Sequence, residues 1–370
     1  MPRHSHFRTF LQAGFECSTH RLRDGRRLDL IAETCHDTLA RQDYRRLSNF
    51  GIQTVREGLR WHLIESSKGK YDFASILPLL DAAQETGLEQ VIDLFHFGWP
   101  DFLDIFSPDF VESFTGLAAN FAQLLQSRGL DSPLIAPMNE ISFVSWAGGD
   151  VEYLNPFQRG RGNELKLQLV RAGLQAAKAF VAQIPRTRLV WPEPVIHIAG
   201  NAAEPADEQQ AEAYRLAMFE AWDMIAGRAH PELGGSPDVL QTIGVNFYDR
   251  NEWVNHGRTL QPSDPLYRPF HAILLEVWSR YRVPMFVSET GTEDAKRPDW
   301  FSYICAEVRQ AIALGVQMEG ICLYPILNHP GWDDGRHCHN GLFDYADAVG
   351  QREVYAPLAV EIARQQKLSW

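Results

Sequence analysis

The chain has 370 residues, 45% of them hydrophobic and 22% charged, with a formal net charge of −12. This is a globular composition with ample core material, and the acidic balance argues against nonspecific binding to nucleic acid. No apolar run approaches the roughly 18 residues of a membrane span, and the start, MPRHSHFRTFLQAG, has no apolar signal-peptide core.

Strand-like and helix-like patterns then alternate along the chain. FLQAGFEC (10–17) is followed by His20, and IQTVREG (52–58) carries Arg56 and Glu57. FASILPLLDAAQETG reads as an amphipathic helix closed by Gly87. EQVIDLFHF (89–97) ends in His96 shortly before Trp99, and the helical FVESFTGLAANFAQLLQSRG closes on Gly129. PLIAPMN (133–139) ends in Asn139 and is followed at once by Glu140, an acid directly after a run apolar enough to be buried on both faces. The helical ELKLQLVRAGLQAAKAFVAQI leads to TRLVWPEP (187–194), which holds Trp191 and Glu193. DEQQAEAYRLAMFEAWDMIAG reads as one further helix. QTIGVNFY (241–248) carries Asn246 and Tyr248, and PMFVSET (284–290) carries Glu289. GICLYPIL (320–327) contains Tyr324 and runs into Asn328, His329, Trp332, Asp333 and Asp334.

Eight strand–helix units in alternation imply a parallel sheet, and eight strands close a barrel. The expected fold is α/β, a single (β/α)8 TIM barrel over residues 1–370, with no linker or change of composition to mark a second domain. A doubly wound open sheet is the alternative, but no G-x-G-x-x-G loop follows the first strand. In such barrels the site forms at the C-terminal strand ends, so the polar residues closing each strand are the candidates.

Glu140 and Glu289, ending strands four and seven, stand across a barrel mouth, where two carboxyls can flank a bound glycoside. One must donate a proton to the leaving oxygen; the other must be ionised to attack carbon or activate water. Taken singly, the competing reading of either is a loop carboxylate paired with a barrel Arg; with Asn and Tyr partners in register the catalytic reading prevails. Ten tryptophans, several beside turns (FGWPDF, VSWAGG, HPGWDDG), suit a cleft lined by flat rings on which sugars stack. Glu16 is expected to pair with Arg56 or Arg60, and Glu193 is a candidate substrate contact. The stretch HPGWDDGRHCHNG holds several potential ligands, but its spacing matches no zinc pattern, so no metal and no cofactor are expected. Five scattered cysteines suit reduced thiols, and with no leader in view the expected location is cytoplasmic.

At these residues the sequence resembles glycoside hydrolase family 1, the β-glucosidase-like branch of the retaining clan-A barrels. GIQTVREGLRW is similar to the family's strand-two pattern with its central Arg, LFHFGWP to Tyr-His-Trp-Asp-x-Pro, and APMNEIS to Thr-Phe-Asn-Glu-Pro. GVNFYD is similar to Gly-Ile-Asn-Tyr-Tyr, FVSETG to Ile-Thr-Glu-Asn-Gly, and YPILNHPGW to Trp-Ser-Leu-Leu-Asp-Asn-Phe-Glu-Trp. The resemblance implies Glu140 as acid/base, Glu289 as nucleophile, and Arg56 and Tyr248 as groups that hold the nucleophile and keep its pKa low. It implies sugar contacts from His96, Asn139 (on the 2-hydroxyl) and Trp332; His20, Asn246, Tyr324, Asn328 and His329, at the strand ends, are further substrate-binding candidates, and the HPGWDDGRHCHNG stretch reads as a loop bordering the sugar site, where Asp333, Asp334 or Arg336 contact hydroxyls or an anionic substituent. Departures cluster where the sugar is read: His20 replaces a Gln, Tyr324 a Trp, Asn328 and His329 an Asp-Asn pair, and Gly331 the Glu before the last Trp. The implied function is a retaining β-glycosidase working through a glycosyl-enzyme intermediate on a small-molecule or oligosaccharide glycoside, without nucleic-acid or membrane partners. The alternatives are an endo-acting clan-A polysaccharide hydrolase and a non-hydrolytic sugar-binding relic.

Overall fold

Strand runs buried on both faces and helices with one apolar stripe assemble as the alternation requires. The computed structural model describes residues 6–370. Its barrel strands are β1 (Leu11–Gly14), β2 (Thr54–Gly58), β3 (Glu89–Asp93), β4 (Leu134–Ala136), β5 (Arg188–Pro194), β6 (Thr242–Asn246), β7 (Met285–Thr290) and β8 (Met318–Leu323). Each pairs in parallel with its neighbours in chain order, and β8 returns to β1, with Leu11 beside Ile321 and Ala13 beside Leu323, so the sheet closes as a (β/α)8 TIM barrel.

The main outer helices are α1 (His36–Ser48), α2 (Leu77–Thr86), α3 (Pro108–Ser127), α4 (Gly162–Gln183), α5 (Pro205–Leu216), α6 (Phe270–Tyr281), α7 (Arg297–Ala313) and α8 (Ala356–Gln366). Helix α3 shows why they pack: Phe110, Phe114, Leu117, Phe121 and Leu125 recur at three- and four-residue spacing and are all buried. Gly87, at φ 72°, closes α2 in the left-handed conformation and returns its N–H to the Ala83 carbonyl. The barrel interior holds its own plug of apolar side chains from Phe7, Val91, Leu134, Ala136, Val190 and Phe286. No helix among the described residues is long and apolar enough to cross a membrane.

Two expectations shift at their edges. Strand runs read as 10–17 and 89–97 end at Gly14 and Asp93, because their apolar tails, such as Phe15, Leu94, Phe95 and Phe97, fold over the barrel end as buried loop. The single helix expected over DEQQAEAYRLAMFEAWDMIAG is interrupted by a 3₁₀ turn at Ala217–Phe219, which lets Met218 sulfur accept from the Ile196 N–H.

A buried polar cluster anchors α1 to the outer face of β2. His36 lies between Asp43 (Nδ1 to Oδ2, 2.9 Å) and Glu57 (Nε2 to Oε1, 2.9 Å), Tyr44 donates to Glu57 at 2.7 Å, and Arg352 clamps Asp43. Burial alone would lower the His36 pKa, but Glu57 and Asp43 outweigh it and raise it to about 9. A histidine whose pKa is raised on folding stabilises the fold fully below its unfolded value near 6.5 and loses that contribution as pH climbs through 9. Urea midpoints are therefore expected to fall between pH 6.5 and 9.5, and His36→Gln should flatten that decline while lowering stability throughout.

Candidate active site at the C-terminal mouth of the barrel

The site is organised by Arg56, which β2 projects into the barrel mouth and which is only 1% exposed. Its Nε and Nη2 donate to the two oxygens of Asp93 at 3.0 and 2.7 Å. Nη2 also donates to Asn139 Oδ1 at 2.7 Å, and Nη1 to Glu289 Oε1 at 2.7 Å and the Ser288 carbonyl at 3.1 Å. All five guanidinium N–H groups are thereby used, which is what a buried cation requires. Asp93 in turn accepts from His96 Nδ1 at 2.8 Å, leaving His96 Nε2 to accept from Asn139 Nδ2 at 3.2 Å. Tyr324 lies behind His96 with its ring stacked at 5.9 Å, in space that exists because Gly14 has no Cβ: one there would fall 2.1 Å from the Tyr324 ring.

Glu289 and Glu140 receive different treatment. Glu289 is held at both oxygens, by Arg56 and by the Tyr248 hydroxyl at 2.8 Å. Glu140 accepts a single neutral hydrogen bond, from Asn246 Nδ2 at 2.9 Å. Burial pushes the Glu140 pKa well above the ordinary glutamate value, and the neighbouring Glu289 charge raises it further. Burial also raises Glu289, against the opposing pull of Arg56, His96 and Tyr248. The expectation that Arg56 and Tyr248 keep the Glu289 pKa low is thus corrected: desolvation outweighs them. The ordering of the pair is still clear, since a cation and a phenol favour an ionised Glu289 and nothing comparable acts on Glu140. Of the two, Glu140 holds the proton.

Glu140 also occupies a strained backbone position, φ 50° and ψ 54°, which non-glycine residues seldom adopt. Its N–H is fixed by the Pro192 carbonyl at 3.0 Å, and the next two, Ile141 and Ser142, donate to Glu193 at 2.6 and 3.0 Å. Glu193, expected as a substrate contact, therefore lies buried under the elbow with both oxygens engaged by backbone, and burial raises its pKa to about 7. Glu16 forms no pair with Arg56 or Arg60: Arg56 is saturated, and Arg60 is held by Asp29 and Asp37.

A cavity of about 1,010 Å³ opens above the pair, and its lining includes Glu140, Glu289, Tyr248, His96, Glu16 and Trp332. Asn139 and Asn246 form the buried floor between the carboxyls. His20 stands edge-on to Trp332 at 5.0 Å and, with Asp333, faces an adjoining pocket of about 360 Å³. Asn328 is turned to Asp344 and the Gly341 N–H, His329 is engaged at both nitrogens by the Pro330 carbonyl and Asn340, and exposed Asp334 faces Arg336. These three candidates shape the strand-eight loop and do not line the cavity, since a loop that folds back on itself satisfies its polar groups internally.

Two groupings of metal-ligand type occur among the described residues: Cys17, Asp93 and His96, and His337, His339 and Asp344. The first is in contact with the Arg56 cation, which disfavours a second positive charge. The second brings together side chains whose sequence spacing matched no metal pattern, and there His337 Nε2 already pairs with Asp344 at 2.7 Å, outside the cavity. The residues the sequence reading missed are Asp93, Ser288 and the supporting role of Glu193. Asp93 had a signal: it is an isolated acid inside the apolar run VIDLF. Removing it strands the Arg56 charge, so Asp93→Ala should cost about 3–5 kcal/mol, measured as a loss in urea-unfolding free energy.

No family model matches the sequence, and no curated protein does either. Solved structures do. AHE enzyme from Alicyclobacillus herbarius aligns with a TM-score of 0.76 at 19% identity, over 90% of this chain and 88% of that one. The β-glucosidase from Thermotoga maritima in complex with glucoimidazole aligns with a TM-score of 0.75 at 14% identity, over 90% and 87%. The family 1 β-glucosidase of the same organism gives 0.74 at 15%, over 91% and 88%. In fold, this chain is a (β/α)8 barrel similar in structure to family 1 β-glucosidases.

Proposed function

We propose that the protein is a retaining β-glycosidase that hydrolyses a β-glycoside by double displacement. The observation that carries this reading is the asymmetry of the two buried carboxyls: Glu289 is gripped by Arg56 and Tyr248 as an anion, and Glu140 is left to a neutral amide as the proton holder. In the first step Glu289 attacks the anomeric carbon while Glu140 gives its proton to the glycosidic oxygen, and the bond to the leaving group breaks. Esterification then removes the Glu289 charge, so the Glu140 pKa falls and the residue becomes the base. It takes a proton from water, whose oxygen attacks the anomeric carbon, releases Glu289 and restores the β configuration. Asn139, fixed by Arg56 and His96, is placed to hold the 2-hydroxyl. The five unpaired cysteines suit a reducing compartment, and we place the enzyme in the cytoplasm.

Because Glu140 serves the leaving oxygen, the leaving group belongs on its side, where Trp146, Ile196, Tyr214, Met218 and Trp253 wall the cavity. The sugar then lies toward His96 and Trp332. Trp332 lines both this cavity and the adjoining pocket, standing between them, and a wall beyond the sugar favours removal of one terminal residue over endo-cleavage of a polysaccharide. A sugar-binding relic would show Kd values for sugars with no turnover.

Release of phenol from a panel of aryl β-glycosides tests the reading. Glu289→Ala is expected to lower kcat by roughly 10⁴-fold or more, with added azide trapped as the α-glycosyl azide. Near-normal turnover by that variant would remove Glu289 from the nucleophile's role. Glu140→Ala should lose about 10²–10⁴-fold on poor leaving groups and much less in the first step on good ones. The pH profile of kcat/KM should be a bell belonging to the coupled pair. Its acid limb, where Glu289 must ionise, should lie above the ordinary glutamate range, and its alkaline limb, where Glu140 loses its proton, higher still; Glu140→Gln should abolish the alkaline limb.

A further inference from the structure

A further carboxylate faces the same cavity without a part in the chemistry. Glu16 follows β1, and its side chain is only 9% exposed. One oxygen, Oε1, accepts from the Ser18 N–H at 3.0 Å and from the Ser18 hydroxyl, and lies 3.8 Å from His96 Nε2. The other, Oε2, has no protein partner among the described residues and opens into the cavity. Two more acids line the cavity, but both are engaged on its leaving-group side: Asp150 accepts from the Gly162 N–H, and Glu220 pairs with Lys166. Glu16 is thus a buried acceptor aimed at the end where His96 and Trp332 stand. The strand-eight loop supplies no carboxylate to the main cavity, since Gly331 precedes Trp332, Asp333 accepts from Tyr153 in the adjoining pocket and Asp334 faces Arg336.

The charges around it are consistent. Burial opposes ionisation of Glu16, but the groups around it, the two Ser18 donors among them, outweigh it and lower its pKa, so the group is an anion at neutral pH. Burial depresses the His20 pKa to about 4, so that ring adds no positive charge. Arg21 and Arg27, in the segment that follows Glu16, are both tied to Asp101, and Arg56 has no free N–H; of the cations that line the cavity, Lys166 pairs with Glu220 and Arg250 is carried by the segment after β6. A carboxylate with one oxygen idle and no Arg or Lys paired with it can accept from a hydroxyl and repels another anion.

We propose that Glu16 is a specificity-determining residue that reads the sugar: Oε2 accepts a hydrogen bond from a ring hydroxyl remote from the anomeric carbon, so the site takes neutral glycosides and rejects glycones bearing a carboxylate or phosphate on that edge. This rests on the glycosidase reading above.

The test compares wild type, Glu16→Gln and Glu16→Ala on the best-cleaved 4-nitrophenyl β-glycoside, its 3-, 4- and 6-deoxy analogues, and the corresponding uronide and 6-phosphate. Calorimetric binding of deoxynojirimycin and melting temperatures run in parallel. Glu16→Ala should lose about 10–100-fold in kcat/KM on the parent sugar at a near-unchanged melting temperature, and Glu16→Gln, which keeps an acceptor oxygen, should lose less. One deoxy analogue should cost the wild type a similar factor and cost Glu16→Ala nothing further; the wild type should leave the uronide and phosphate essentially uncleaved. Unchanged kinetics in Glu16→Ala, losses that simply add at every deoxy position, or efficient cleavage of the anionic glycosides would overturn the assignment. A wild type that cleaves no glycoside yet binds deoxynojirimycin in a Glu16-dependent way would remove the hydrolase reading and retain Glu16 as the sugar reader. Absence of both cleavage and binding would overturn both.

Discussion

A guanidinium buried in a barrel mouth is tolerable only if every one of its donors is met, and the Arg56 side chain imposes that condition on three other strands at once. Asp93 at the end of β3, Asn139 just beyond β4, and Ser288 and Glu289 in β7 are all fixed by the need to satisfy a cation carried on β2. Removing water from such a charge is expensive, and the partners recover the cost only in this geometry. The arrangement therefore over-determines the positions of the groups that would do chemistry. His96 belongs to the same network through Asp93, which fixes its tautomer so that Nε2 accepts from Asn139.

The network also explains how two glutamates a short way apart acquire different characters. Both are buried, and burial alone would hold both as neutral acids. Only Glu289 touches the cation and the phenol, so the first proton to leave the pair leaves Glu289. Glu140 is kept apart by a different device, a left-handed elbow seated on Glu193 and the Pro192 carbonyl, which turns its side chain toward the amide of Asn246. Strain at such a position persists because the surrounding hydrogen bonds leave no alternative.

Above this floor the molecule is built from loops that satisfy themselves. The strand-eight hairpin folds His329 onto its own backbone and Asn340, and Asn328 onto Asp344. Of that loop only Trp332 reaches the main cavity, and Asp333 reaches the adjoining one. The polar work at the sugar end falls instead to the residue after β1, Glu16, whose neighbours leave one of its oxygens free to accept.

The barrel was legible in the chain because strand and helix periodicities are local: LQAG, TVREG and MFVSET declare burial on both faces wherever they occur, and their alternation with amphipathic helices admits few topologies. The places of Glu140, Glu289, Arg56 and Tyr248 followed from that rhythm, since Arg56 and Glu289 lie within their strands and Glu140 and Tyr248 just beyond the C-terminal ends of theirs. Where the polar side chains point was not legible. Asn328, His329 and Asp334 read as substrate contacts and turned to their own loop, Glu193 read as a contact and became a support, and Asp93 passed unnoticed within an apolar run. Hydrogen-bond partners drawn from strands tens to hundreds of residues apart, such as Arg56 with Glu289, are chosen by closure of the barrel. The sequence determined which residues reach the mouth; only the tertiary structure decided which are consumed by one another and which remain free to meet a ligand, because a buried polar group is claimed first by whatever partner the fold brings within reach.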